Sequence, residues 1–131
     1  MFQKFFTLQE ANSELPHVKK IVAEILEKGK RLQSLLSDEP SDALNPQAEK
    51  IGEAIDRLMI ELEEMGCFYK DWKFEIGLVD FPAIIDGREV LLCWRSDEAE
   101  ILWYHGIEDG FAGRRPLPAQ WLLGDLFKEQ K

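Results

Sequence analysis

The densest chemistry in this chain lies in residues 103–116, WYHGIEDGFAGRRP, where one histidine, two acids, three glycines and two arginines follow a pair of aromatic residues. An imidazole titrates near neutrality and nearby carboxylates tune it, so His105 is a candidate general acid or base. It reads equally as a structural histidine hydrogen-bonded near a sheet edge. A third reading, as a metal ligand, needs other donors to converge on it: Glu108 and Asp109 are close in sequence, and Asp80 or Glu100 in space. The chain has no HxH or HExxH pattern and no CxxC, and its other histidine, His17, lies on a separate helix. On these patterns no metal and no cofactor is expected.

The stretch Gly110-Phe111-Ala112-Gly113-Arg114-Arg115 suggests an anion site. Its glycines permit close backbone approach, so successive amides can converge on a charge. Arg114 or Arg115 adds a planar fork suited to carboxylate or phosphate. The competing reading is internal, with an arginine neutralising Asp80, Glu98 or Glu100. No phosphate-binding P-loop pattern is present.

Asp80 precedes Phe81-Pro82 within a strand-like run, and a charge among apolar neighbours needs a partner or a shifted pKa. Arg95 or Arg114 is the expected counter-ion. Cys93 falls beside Asp80, but it sits mid-strand between Leu92 and Trp94, and no histidine is arranged in sequence to activate it as a nucleophile. The candidate ligand site is therefore Asp80, Arg95, Glu98, His105 and Arg114, facing a small anionic molecule. Whether catalysis occurs there stays open.

These side chains must be placed by the elements around them. Thr7-Leu8-Gln9-Glu10 is a capping box, and the short helix it opens is expected to end or kink near Leu15, before Pro16 begins a new one. Val18, Val22, Ile25, Gly29, Leu32 and Leu36 then recur at alternating steps of four and three. Ala48, Ile51, Ile55, Leu58, Leu62 and Met65 repeat that spacing after Pro46. Two such seams joined by the polar segment SDEPSDALNP predict an antiparallel, coiled-coil-like helical hairpin, with Gly29 permitting close helix approach and Gly66 as the stop.

After Gly66 the period becomes that of strands. LVDFPAII and REVLLCWR flank Asp86-Gly87, a tight-turn pair, so Ile85 should face Arg88. A second turn at Ser96-Asp97-Glu98-Ala99 should place Arg95 opposite Glu100 and start a strand EILWYH. CFYKDW can add an edge strand. In this register Val79, Phe81, Leu92, Trp94, Trp103 and His105 share the apolar face that packs on the helices, while Asp80, Cys93, Arg95 and Tyr104 lie on the other face. PAQWLLGDLFKEQK should close the fold as a short helix with Trp121, Leu122 and Phe127 docked. The class is α+β: an N-terminal helical hairpin packed on a small antiparallel sheet, with a C-terminal loop and short helix. We expect one domain over 1–131, divided into 1–66, 67–107 and 108–131.

Composition narrows the function. With 131 residues and 45% hydrophobic content, the chain is long enough to bury a core. No apolar run approaches a membrane span, and the start does not read as a secretory leader. A net charge of −9 opposes a phosphate backbone, and no basic stripe offsets it, so nucleic acid is not expected. Two isolated cysteines beside bulky apolar neighbours read as buried thiols in the cytoplasm.

Phe6-Thr7-Leu8, Glu10-Ala11-Asn12, Leu15-Pro16, Gly77-Leu78-Val79-Asp80-Phe81-Pro82-Ala83, Asp86-Gly87-Arg88, Leu92-Cys93-Trp94-Arg95, His105 and Gly110-Phe111-Ala112-Gly113-Arg114 together resemble an uncharacterised bacterial family known as DUF2203. The chain differs from that pattern at Asp97-Glu98, where the family carries Gly-Glu, and at Tyr104, where it carries Trp. The resemblance implies no activity, substrate or catalytic residue. The expectation is thus a soluble cytoplasmic interaction or oligomerisation module, using the hairpin to form a homodimer or bind a protein partner. The alternative is a binder of, or enzyme acting on, a small anionic ligand, and a lesser one is a metal-binding protein.

Overall fold

Thr7 and Glu10 cap each other: the Thr7 amide donates to Glu10 Oε1 at 2.9 Å and the Glu10 amide to Thr7 Oγ1 at 3.0 Å. The helix they open, α1, runs Leu8–Asp38 without a break and carries Pro16 inside it. This corrects the expected stop at Leu15. Ala11 and Leu15 before the proline are buried with Val18, Val22 and Ile25 after it, and that continuous apolar face outweighs one missing backbone hydrogen bond. The structure, a computed structural model, describes residues 2, 4–38, 45–71 and 73–122. Most of the expected helix–helix loop, and Phe127 near the chain end, lie outside them.

Helix α2 spans Pro46–Met65; Asn45 Oδ1 accepts from the amides of Gln47 and Ala48, and Gly66 closes the helix at φ 99°. The two helices pack along one another, burying Val18, Val22, Ile25, Ile51, Ile55 and Leu62. Leu36, expected on the seam, is instead 58% exposed. Gly29 has a different use from the one its seam position suggested. Its Cβ position is taken by the side chain of Phe74, through Cγ, Cδ1 and Cβ, so the glycine admits the segment that follows the edge strand Phe68–Tyr69 rather than the other helix. Gly29→Ala should therefore lose about 1–3 kcal/mol by overpacking. Gly52→Ala, where nothing lies within 4 Å of the added carbon, should gain about 0.5–1 kcal/mol of helix propensity. Urea midpoints moving in opposite directions for the two variants would bear this out.

Five strands follow in an antiparallel sheet of order β1-β2-β3-β4-β5, with β1 Phe68–Tyr69, β2 Leu78–Ile85, β3 Arg88–Arg95, β4 Trp103–Gly106 and β5 Arg115–Pro116. β2 and β3 pair in the expected register, Ile85 opposite Arg88 and Asp80 opposite Cys93. Asp86 at φ 51° and Gly87 at φ 78° make the turn between them. Pro82 fits mid-strand because its carbonyl faces the β1 side, where it accepts the Phe6 amide at 2.7 Å. The N–H that proline lacks falls on that same side, so the β2–β3 ladder loses nothing. Val79, Phe81, Leu92 and Trp94 face inward and are fully buried with Val18, Val22 and Ile25.

The pairing of β3 with β4 departs from expectation by one residue: Cys93 lies opposite Trp103 and Leu91 opposite His105. The cause is the connection, which is longer than a four-residue turn. Glu98 Oε1 accepts the Arg95 amide at 2.8 Å, and Glu98 O accepts Trp94 Nε1 at 2.8 Å. Lys19 Nζ bonds Ala99 O at 2.8 Å, and the Ile101 amide donates to Asn12 Oδ1 at 3.0 Å. These bonds hold residues 98–101 against α1 instead of in the ladder, and pairing resumes only at Trp103. The slip exchanges faces: Tyr104 packs against the core, and Trp103 and His105 move to the side of Asp80 and Cys93. At the C-terminal end residues 119–122 are helical. Trp121 packs on the core, whereas Leu122, expected to dock, is 41% exposed.

Candidate functional site

The outer face of the sheet, turned from the helices, gathers donor groups from three neighbouring strands. Asp80 on β2 and Cys93 on β3 are direct cross-strand partners. His105 on β4 is diagonal to Cys93, a separation that long side chains bridge. His105 Nε2 stands 3.1 Å from Asp80 Oδ1, and Nδ1 stands 2.8 Å from the carbonyl of Gly106. One ligating atom from each of Asp80, Cys93 and His105 lies within 4.8 Å of the other two. The histidine and aspartate side chains are only 4% and 5% exposed.

Burial alone would drive His105 toward the neutral form. Its hydrogen bond to Asp80 dominates, aided by that to Cys93, and its pKa is pushed up to about 10. At neutral pH the ring is an imidazolium that donates from Nε2 to Asp80 and from Nδ1 to Gly106 O. The second cysteine, Cys67, is buried elsewhere against Leu62 O at 3.5 Å, and burial raises its thiol to about 12. It is a protonated core residue.

A half-open cavity of about 230 Å³ stands over this cluster. Asp80, Cys93 and His105 line it together with Leu78, Leu91 and Ile107, and Lys70 contributes the further charge in its wall. The five side chains expected to form one site fall instead into separate groups. Asp80 and His105 meet in the cavity. Arg114 grips Glu98 with two parallel bonds of 2.9 Å, and its Nη2 also donates to the Cys93 carbonyl at 3.1 Å. Its guanidinium lies 4.8 Å over the Trp103 ring, a cation–π arrangement. Arg95 does not neutralise Asp80; its Nε donates to Asp97 Oδ1 at 2.6 Å on the exposed rim. The counter-ion of Asp80 is His105. Cys93 joins the two buried groups, its sulfur facing His105 and its carbonyl Arg114.

Of the two readings of the glycine loop, the internal one fits: Arg114 pairs with Glu98, and the loop closes on itself. Phe111–Gly113 is a single 3-10 turn, and the Gly113 amide donates to Gly110 O at 3.1 Å. Asp109 Oδ2 accepts the Gly106 amide at 3.3 Å, so that carboxylate braces the loop. Cys93 and Lys70 are the site residues that sequence reasoning left out. The pairing across Asp86-Gly87 already set Cys93 beside Asp80, and that was the available signal.

A family model described as Uncharacterized conserved protein (DUF2203) matches residues 4–117, a span that contains every residue of the cavity and of the Arg114 group. No curated protein matches the chain, and no solved structure does.

Proposed function

We propose, for a chain that belongs to the family of uncharacterized conserved proteins DUF2203, that its outer-face cavity binds a small molecule carrying a negative group. The observation that supports this is the convergence of the buried Asp80, Cys93 and His105 side chains at the floor of an accessible cavity. Buried titratable groups held together in a concave, partly apolar site are the usual mark of a ligand site. The charges of His105 and Asp80 cancel, leaving Lys70 to set the sign. Leu78, Leu91 and Ile107 supply apolar contact for the body of the ligand. The cavity, at about 230 Å³, is below the usual range of roughly 300–1,000 Å³ for drug-sized ligands, so the ligand is small. No helix among the described residues is long and apolar enough to cross a membrane, and two buried free thiols suit the reducing cytoplasm.

A thermal-shift screen in chelator, with phosphate, nucleotides and small carboxylates, tests the reading. A ligand at about 100 times its dissociation constant adds roughly 2.7 kcal/mol, which moves the midpoint by several degrees. That rise should vanish in Lys70→Ala and persist in Arg95→Ala. Absence of any rise, with and without divalent metal, would end it.

A second reading is the helical hairpin as an arm for self-association or a protein partner. It draws on Leu36 and Ile60, which are 58% and 52% exposed on the two helices. Sedimentation at rising concentration tests it, and a mass that stays monomeric with the chain alone removes the homodimer.

A further inference from the structure

We infer that Asp80, Cys93 and His105 are the three protein ligands of a divalent transition ion of zinc's kind, with the fourth coordination position open to the cavity. The inference rests on the reading of that cavity as the functional site, and goes beyond it by naming what holds the anionic group.

Geometry comes first. Nitrogen, oxygen and sulfur ligands of one tetrahedral zinc stand roughly 3.3–3.6 Å from each other, given bonds of about 2.0–2.3 Å. Here Nε2 and Oδ1 are 3.1 Å apart, and all three ligating atoms fall within 4.8 Å. Small rotations of side chains bring them onto a common centre. The three residues sit on strands paired to one another, so the donors are held by rigid backbone, as a preorganised site requires.

The orientation of the ring also fits. A metal-bound histidine usually donates its other ring N–H to a carbonyl or carboxylate, which fixes the ring. His105 Nδ1 stands 2.8 Å from Gly106 O, and Nε2 is thereby the nitrogen aimed at Asp80 and Cys93. Thiolate, imidazole and carboxylate together favour zinc-like ions over magnesium or calcium, which take oxygen ligands.

Charge and coordination number agree. A thiolate and a carboxylate carry two negative charges, which a divalent ion neutralises within the low-dielectric floor. Among the described residues no fourth histidine, cysteine or acid joins the group. Glu98, the nearby carboxylate, is engaged by both Arg114 nitrogens. Three protein ligands with one position facing a cavity is the arrangement of zinc sites that accept an exogenous ligand. An anion entering the cavity would meet both the ion and the charge of Lys70, which lines the same cavity.

The test is cobalt(II) titration of the full chain after chelator treatment, with zinc(II) as competitor. Expected are one ion per chain, the near-ultraviolet thiolate-to-cobalt charge-transfer band with visible bands of a tetrahedral ion, and loss of both on adding zinc. Cys67→Ser should keep the band. Cys93→Ser should abolish it while circular dichroism stays native, and His105→Gln should weaken binding by about a hundredfold or more. A wild-type protein without the band, or a band that survives in Cys93→Ser, overturns the inference. If the band fails but an anion still raises the midpoint in chelator, the cavity reading stands and the metal falls. If the band forms but no anion raises the midpoint in any condition, the metal stands and the cavity reading falls.

Discussion

Asp80→Ala should cost the metal-free protein about 3–5 kcal/mol, the largest loss expected of any single substitution here. The reason is what it leaves behind. His105 is 3% exposed, and its positive charge is held in the sheet by the carboxylate 3.1 Å away. Without that partner the ring must either stay charged and unpaired or give up its proton, and both routes raise the energy of the folded state. Asp80→Asn keeps the shape and an acceptor, so it should lose less. Urea unfolding in chelator distinguishes the cases. An Asp80→Ala midpoint within error of the wild type would mean that the ion pair contributes nothing.

The second large effect is on pH. His105 has its folded-state pKa pushed up to about 10 from an ordinary 6.5. A raised pKa means that the folded protein keeps a proton that the unfolded chain has already lost. The stabilisation is complete below about pH 6.5 and is withdrawn as pH rises toward 10. Between those limits the slope approaches about 1.4 kcal/mol per pH unit, so a few kcal/mol disappear across the range. Cys67 and Tyr69, both raised by burial, add losses of the same sign, but for them the decline starts only above their ordinary values of 9.0 and 10.0. The window from pH 6.5 to 9 therefore belongs to His105. Wild-type stability should fall across it while that of His105→Gln stays level, and the gap between the two should narrow. A wild-type profile as flat as the variant's would refute the coupling of His105 to Asp80.

Much of the architecture was legible because it depends on local chemistry. The Thr7/Glu10 box, the Pro46 start, the Gly66 stop and the Asp86-Gly87 turn each specify a backbone conformation within a few residues. The β2–β3 register followed from that turn, and with it the neighbourhood of Asp80 and Cys93. What was not legible depends on distant partners. The length of the 96–102 connection is set by Asn12 and Lys19 on α1, and nothing in the segment itself announces those bonds. A one-residue change in where β4 begins reverses every side chain on it, which is why alternation along the sequence puts His105 on the apolar face and leaves Cys93 without a histidine. The arginine partners are legible only in part, for a related reason: Glu98 is among the acids the sequence offers Arg114, whereas Asp97 is not among those it offers Arg95. With 25 acids in the chain, pairing rules alone do not choose among them; the fold gave Arg95 to Asp97 and Arg114 to Glu98. Pro16 shows the converse, a local breaker overridden by burial on both sides.

The outermost strands have a bearing on colloidal behaviour. β1 and β5 are two residues each, β5 ends in Pro116, and the uncovered stretch of β2 at Pro82 already receives the Phe6 amide. Edge-to-edge growth into fibrils needs a long row of unsatisfied backbone amides and carbonyls, and neither flank of this sheet supplies one. Aggregation of the folded protein through strand addition is accordingly closed off, and any precipitation on warming should track global unfolding.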